Sequence, residues 1–321
     1  MREILILVFT VLYTIASGQT ANDSKTQHIY QLNKVKNQES WDYKYNGKSL
    51  DKNGSRTSVT TFTATGEIAR VVTYNTNGQV LHVEKYSYDK MGNRTEYTRM
   101  SSEDSGKPAY QKLSVYDAKG KLLQESGFDG VENFKNVYTY NGQGDLSEIL
   151  YYTGDRVKEK RTFVTEGNTT SVMVYNGTGI LISKLMMKYD DRRNLIEESV
   201  YGVDKSELEK KLYDYDENQN LKEEANYKLE KITLRTSYNY NTSGDLIAVY
   251  EQSAGNDKFQ KKSYTYDNAG NLLQLKWRRN ADDDFNQMTY TYDKNGICST
   301  VDTYYPDPKY RVLTKYVYAY Y

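Results

Sequence analysis

The side chains that carry acid–base or metal chemistry are few or unplaced in this chain of 321 residues. Histidine occurs twice, at His28 and His82, and cysteine once, at Cys298. Two distant histidines and one thiol give no metal-ligand spacing and no Ser-His-Asp arrangement. Carboxylates are plentiful, with 43 Asp and Glu against 43 Lys and Arg. A glycosidase needs two of them at a set separation across a cleft, and the sequence nominates no pair. Asp282-Asp283-Asp284 beside Arg278 and Arg279 is the densest charge cluster; it reads as a solvated loop, as charge runs usually do. An Asp also recurs after tyrosine, as in Tyr266-Asp267, without the alternating Asp spacing of a calcium loop. Its expected role is to cap its own turn. No catalytic, metal-binding or cofactor-binding residue is assigned, and the chain is expected not to be an enzyme.

Aromatic rings are the other functional resource. Tyrosine accounts for 34 residues, against about 16 for an even share among twenty types. A ring with a wet hydroxyl can pack, and it can also stack on a sugar or hold a partner's side chain. Trp277, Tyr264, Tyr266 and Trp41 are the candidate ligand-binding residues. The competing role is packing between repeats, which accounts for the periodic tyrosines. A net charge of zero weighs against nucleic acid and against an anionic membrane surface. The expected partner is a polysaccharide or a cell-surface protein.

The elements that position these rings follow from a repeat. In Tyr264-Thr265-Tyr266-Asp267-Asn268-Ala269-Gly270-Asn271-Leu272 the tyrosines share one face of a strand. Asp followed three residues later by Gly is a type I turn closing on a left-handed residue, the hairpin loop with a bulge. Leu273, Leu275 and Trp277 alternate on the return strand. Copies anchor at Phe62, Tyr88, Tyr116, Tyr140, Phe163, Tyr189, Tyr215, Tyr240, Tyr266 and Tyr292, a period near 26 that next falls on Tyr318. Turns at Tyr74-Asn75 and Tyr175-Asn176 divide two of the units, so one unit is two strands and two turns. The block from Thr61 to Asp89 recurs 101 residues later, from Thr162 to Asp190, as a duplication would leave it. Arg193 and Gln219 stand where the turn glycine belongs; Asn194 and Asn220 are expected to take the left-handed position there. If strands alternate up and down, the Tyr-Asp turns form a uniform rim. Unlike loops such as 101–108 and 279–284 then form a variable one, where binding specificity tends to sit.

Tyr-x-Tyr-Asp-x-x-Gly-Asn-Leu at residues 264 to 272 resembles the YD repeat, also called the RHS repeat, and the resemblance covers residues 60 to 321. It implies a long antiparallel sheet coiled into a spiral or shell. Some such repeats belong to large secreted toxins that enclose an effector; others are carbohydrate-associated. This chain is far shorter than the toxins and lacks an Asp-Pro-x-Gly core box, Asp307-Pro308-Lys309 being the nearest.

Residues 1–18 have a charged start, an apolar run from Ile4 to Ile15 and a small-residue end. They read as a signal peptide, so the chain is expected to be exported to the periplasm, cell surface or medium of a bacterium. Residues 19–40 read as a polar linker or cap, and Trp41 to Gly47 as a degenerate first hairpin. Residues 41–321 read as a single repeat domain. The fold expected is all-β, a long antiparallel meander of two-strand units of about 26 residues, coiled into a spiral, half-shell or barrel-like sheet. Tyr316-Val317-Tyr318 is expected to close or edge it. No transmembrane segment is expected after the signal peptide. An outer-membrane barrel is disfavoured, since Glu223 and Lys231 on one strand-pair face and Lys222 and Glu224 on the other leave no lipid-compatible stripe. The expected function is an exported, non-enzymatic scaffold or binding protein. The alternatives are an accessory or remnant of a repeat-toxin system and, less favoured, a membrane barrel or a glycan-active enzyme.

Overall fold

Each Tyr-Asp turn is built by its own side chains. The Asp267 carboxylate accepts the backbone N–H groups of Ala269 at 2.9 Å and Asn271 at 2.8 Å, and the Asn271 side-chain amide at 2.9 Å. The Gly270 N–H closes on the Asp267 carbonyl at 3.0 Å, with Gly270 at φ 72°. Pairing register slips between Thr265 and Tyr266, the bulge that such a loop requires. The same two backbone bonds recur at Asp89, Asp117, Asn141, Asp190, Asp216, Asn241 and Asp293. Two turns differ from expectation. Arg193 at φ 67° and Gln219 at φ 66° hold the left-handed position themselves. Asn194 and Asn220 instead donate their amides to Asp190 and Asp216, each at 3.0 Å. The turn fixes which residue carries the positive φ, and the residue after it is placed to bind the carboxylate.

The computed structural model describes residues 17–102 and 106–321. The targeting segment expected at residues 1–18 lies outside them, except Ser17 and Gly18, which open a helix, Ser17–Leu32. From Val35 onward 23 strands follow, paired antiparallel with their neighbours in sequence. The short Ser49–Leu50 pairs only with the end of the opening strand, Val35–Asn46, around Gly47. The opening strand also pairs with Ser55–Phe62 on one side and with the final strand, Tyr310–Tyr320, on the other. Gln38 lies opposite Tyr318 and Ser40 opposite Tyr316. The meander is therefore a closed barrel of 22 strands, which selects the barrel among the three shapes expected. With strands ~4.8 Å apart and tilted by roughly 40°, opposing walls stand on the order of 40 Å apart. The exposed area, 20668 Å², is well above the roughly 14,000 Å² of a compact monomer of this size. The wall is one sheet thick and wet on both sides.

The Tyr-Asp turns lie at one rim, and the helix lies across it. Lys25 Nζ donates to the carbonyls of Ala269 and Gly270 at 3.0 and 2.9 Å. Gln27 Nε2 donates to the Thr65 carbonyl at 3.4 Å. The helix presses so closely on the turn at Gly66 that a Cβ there would meet the Gln27 carbonyl oxygen at 2.5 Å. Tyr30 is buried with Val35, Phe62 and Ile297, its ring edge-on to Phe62 at 4.8 Å. Gln38 Nε2 donates to the Tyr30 hydroxyl at 3.1 Å and to the Tyr318 hydroxyl at 2.8 Å. A straight helix touching turns at 65–66, 269–270 and 296 spans several strands, which only the concave side of the sheet permits. Phe62, Gln38 and Tyr318 therefore face inward, and strand alternation carries this assignment around the barrel.

The inner wall is rich in tyrosine and aliphatic side chains with scattered charges. The outer wall carries ion pairs along its strands: Lys160 with Glu148 at 3.3 Å, Lys188 with Glu197 at 2.9 Å and Arg235 with Glu223 at 2.7 Å. Arg311 grips Asp302 with two nitrogens at 2.9 and 2.7 Å. Charges at such depths on a lipid-facing wall cost roughly 2–4 kcal/mol each for Lys and Arg at the bilayer midplane.

Candidate ligand-binding wall

The four rings singled out in the sequence do not form one site. Trp277 ends its strand, Leu272–Trp277, toward the variable rim on the inner wall. Its ring stands edge-on to Tyr305 at 5.9 Å, and Tyr305 lies 6.2 Å from Tyr310. Tyr264 is on the same wall, opposite Leu275, and burial pushes its phenol pKa up. Tyr266 lies at the uniform rim and donates its hydroxyl to the Leu246 carbonyl at 2.9 Å. Burial pushes its pKa up to about 12; this hydroxyl is committed to the scaffold. Trp41 lies opposite Lys315 and Arg56 on the outer wall, and its Nε1–H donates to Glu39 at 3.0 Å. Trp41 and Trp277 lie on opposite walls, with three strands between theirs.

A second aromatic run, absent from the sequence reading, crosses the inner wall elsewhere. Tyr86 lies 5.1 Å from Tyr97, Tyr97 lies 5.5 Å from Tyr110, and Tyr110 lies 6.5 Å from Phe134. These rings belong to the strands Val80–Tyr88, Arg94–Met100, Tyr110–Tyr116 and Asn133–Tyr140. The strand between the last two, Leu122–Phe128, presents Gly127 opposite both Lys112 and Phe134. It offers no side chain there, so the Tyr110 and Phe134 rings meet across it. Glu84 fixes the start of the run, accepting the Tyr97 hydroxyl at 2.7 Å and the Tyr86 hydroxyl at 3.1 Å. Burial, then the hydrogen bond to this carboxylate, pushes the Tyr97 phenol up to about 12. Beside the run opens a concavity of about 420 Å³ lined by His82, Tyr97, Arg99, Tyr110 and Asp129. The signal in sequence was the first tyrosine of Tyr86-Ser87-Tyr88; the partner rings come from register, which no local spacing reveals.

Other candidate chemistry is absorbed by structure. The Arg278 guanidinium lies 4.7 Å from the Phe285 ring centre and donates to the carbonyls of Gln260, at 2.9 Å, and Ala281. Asp283 accepts the Asn280 backbone N–H at 2.8 Å within the same loop. Cys298 is half-buried, and burial raises its thiol to about 11. Among the described residues no group of three or more His, Cys, Asp or Glu side chains is placed to hold a metal ion. No helix of the described residues is long and apolar enough to cross a membrane.

No protein-family model matches the chain, and no curated protein matches it. Solved structures similar to it include TcdB2-TccC3 without its hypervariable C-terminal region, at 14% identity and TM-score 0.33. That match covers 79% of this chain and 14% of the other, so this chain spans a small part of that one. A porin-like protein from Bacteroides uniformis matches at 11% identity and TM-score 0.33, over 89% of this chain and 98% of the other. One from Bacteroides vulgatus matches at 13% identity and TM-score 0.26, over 88% and 97%.

Proposed function

We propose that this is an exported, non-enzymatic barrel of YD-type repeats that binds a carbohydrate polymer against its inner wall. The observation that carries the proposal is the hollow closure itself: the interior is lined by half-buried tyrosines rather than filled as a core, and one rim is crossed by the helix. Tyrosine offers a flat apolar face and a hydroxyl together, which suits a pyranose with C–H faces and equatorial hydroxyls. The ion-paired outer wall supports a barrel that stands in water, not in lipid. The differing loops of the open rim would select the ligand.

The test is a binding screen of residues 19–321 against bacterial and host polysaccharides, alongside a mixture of unrelated folded proteins. Retention of at least one polysaccharide supports the proposal. Retention of none, by a chain whose circular dichroism shows the β-barrel intact, refutes it.

A further inference from the structure

We infer that the run Tyr86–Tyr97–Tyr110–Phe134 is a distinct binding site for an uncharged, extended oligosaccharide. This rests on the reading of the inner wall as a ligand-binding surface, and names where on that wall the ligand sits and what it is.

Three observations converge on the site. The rings are successive neighbours, at 5.1, 5.5 and 6.5 Å, tilted by 43°, 53° and 35°. Such a row turns gradually, as a sugar chain does from ring to ring. The platform is also set in advance: the Glu84 carboxylate holds the Tyr86 and Tyr97 hydroxyls, so little side-chain freedom remains to be lost on binding. Finally, a concavity of about 420 Å³ lies in the size range of small-ligand sites. Its lining includes the donor Arg99, the acceptor Asp129 and His82, whose imidazole can do either.

Charge decides the class of ligand. Three cations stand against three carboxylates around the run: Arg94, 5.9 and 6.0 Å from the Tyr86 and Tyr97 ring centres, with Arg99 and Lys112, against Glu84, Asp129 and Glu125, the last paired with Lys112 at 2.7 Å. Asp129 already caps its own loop by accepting the N–H groups of Val131 and Glu132 at 2.9 Å. No single-sign field is left to attract a phosphate or a uronic acid. Tyr110 is only partly buried, so part of its ring is available to the C–H face of a pyranose. A proline-rich peptide also docks on aromatic rows, but it offers few hydrogen bonds to the polar wall beside them. The sugar is therefore favoured.

Calorimetry with cellohexaose, chitohexaose and xylohexaose, and with a ten-residue polyproline peptide, tests the site. At least one hexasaccharide is expected to bind. Tyr110→Ala, at a partly buried ring, is expected to weaken it by about tenfold, and Tyr110→Phe by about twofold or less. Trp277→Ala, in the other aromatic group, is expected to leave affinity unchanged. Binding that survives Tyr110→Ala and Tyr97→Ala in folded protein overturns this site while leaving the inner-wall proposal standing. Loss in Trp277→Ala alone moves the site to that group and overturns this one. Binding of the peptide in place of every sugar overturns both.

Discussion

Tyr266 donates its hydroxyl to the backbone carbonyl of Leu246 at 2.9 Å, twenty residues earlier in the chain. The ladder between their two strands starts only at Ala248 opposite Ser263, and the tyrosine takes the carbonyl lying beyond its end. A backbone carbonyl left without a partner at a partly buried position is costly. Tyr88 with Ile68, Tyr140 with Leu122, Tyr215 with Leu195, Tyr240 with Leu221 and Tyr292 with Leu272 repeat the bond at 2.8 to 2.9 Å. Tyr318 makes it with Cys298 at 2.7 Å, so the last strand ends with the same staple. The period of these tyrosines is thus the period of a hydrogen bond that ties most hairpins to the one before; Phe62 and Phe163 have no hydroxyl to make it, and the Tyr189 hydroxyl donates to Met187 Sδ instead.

Tyr266→Phe keeps the ring and removes this bond. It is expected to destabilise the barrel by about 1 kcal/mol in urea unfolding, with Tyr292→Phe adding a similar amount. No change in either would mean that the staples hold nothing.

The turn carboxylates predict a pH dependence with a definite sign. Hydrogen bonds from Asn271 and Ala269 lower the Asp267 pKa below the ordinary aspartate value. A depressed folded pKa gives stability that is present above about pH 4 and is lost as pH falls through the folded value. Asp267→Asn should fold normally, since Asn141 and Asn241 make the same turn, and should show a shallower fall of the unfolding temperature below pH 4. Asp267→Ala should lower the unfolding temperature at pH 7 as well.

Gln219 occupies a left-handed position at φ 66° that Gly270 fills at φ 72°. A side chain there costs roughly 1–2 kcal/mol, partly offset by the greater freedom of glycine in the unfolded chain. Gln219→Gly is expected to stabilise by about 0.5–1 kcal/mol, and Gly270→Gln to destabilise by a similar amount, both read by chemical denaturation.

Cys298 should be slow to react. Its thiol is raised to about 11 from an ordinary value of 9.0, so alkylation by iodoacetamide at pH 8 should run about a hundredfold slower in the folded protein than in urea. A raised folded pKa gives stability that is present below the unfolded value and is lost as pH rises through the folded one. Cys298, at about 11, and the phenols of Tyr97, Tyr266 and Tyr316, at about 12, act in the same direction. The unfolding temperature should therefore fall from about pH 10 upward, and tyrosinate absorbance should rise together with loss of β-structure.

What could be read from the sequence was local. The Asp267 to Asn271 turn depends on five successive residues, and its repetition placed the strands, the two kinds of rim and Tyr316 to Tyr318 in a last strand that would close or edge the sheet. Closure of the ring was only one of three shapes expected, because it depends on strand number and tilt together. The helix Ser17–Leu32 escaped notice because its sequence has no apolar stripe; it is held by Lys25, Gln27 and Tyr30 on distant turns. The opposite walls of Trp41 and Trp277 follow from alternation counted through successive bulges, each of which resets the count. Neighbours such as Tyr97 and Tyr110 meet through register across a long loop, and no motif announces them.

Closure is the central claim, and the seam between the opening and final strands tests it most directly. Asp42 Oδ1 accepts the Thr314 hydroxyl at 2.7 Å there, across 272 residues of chain. With Cys298→Ser in place, Asp42→Cys and Thr314→Cys are expected to form an intramolecular disulfide on mild oxidation. It would be seen as a linked pair of tryptic peptides from a monomer. Folded protein in which these two thiols stay free, or pair only between molecules, would contradict the closed barrel.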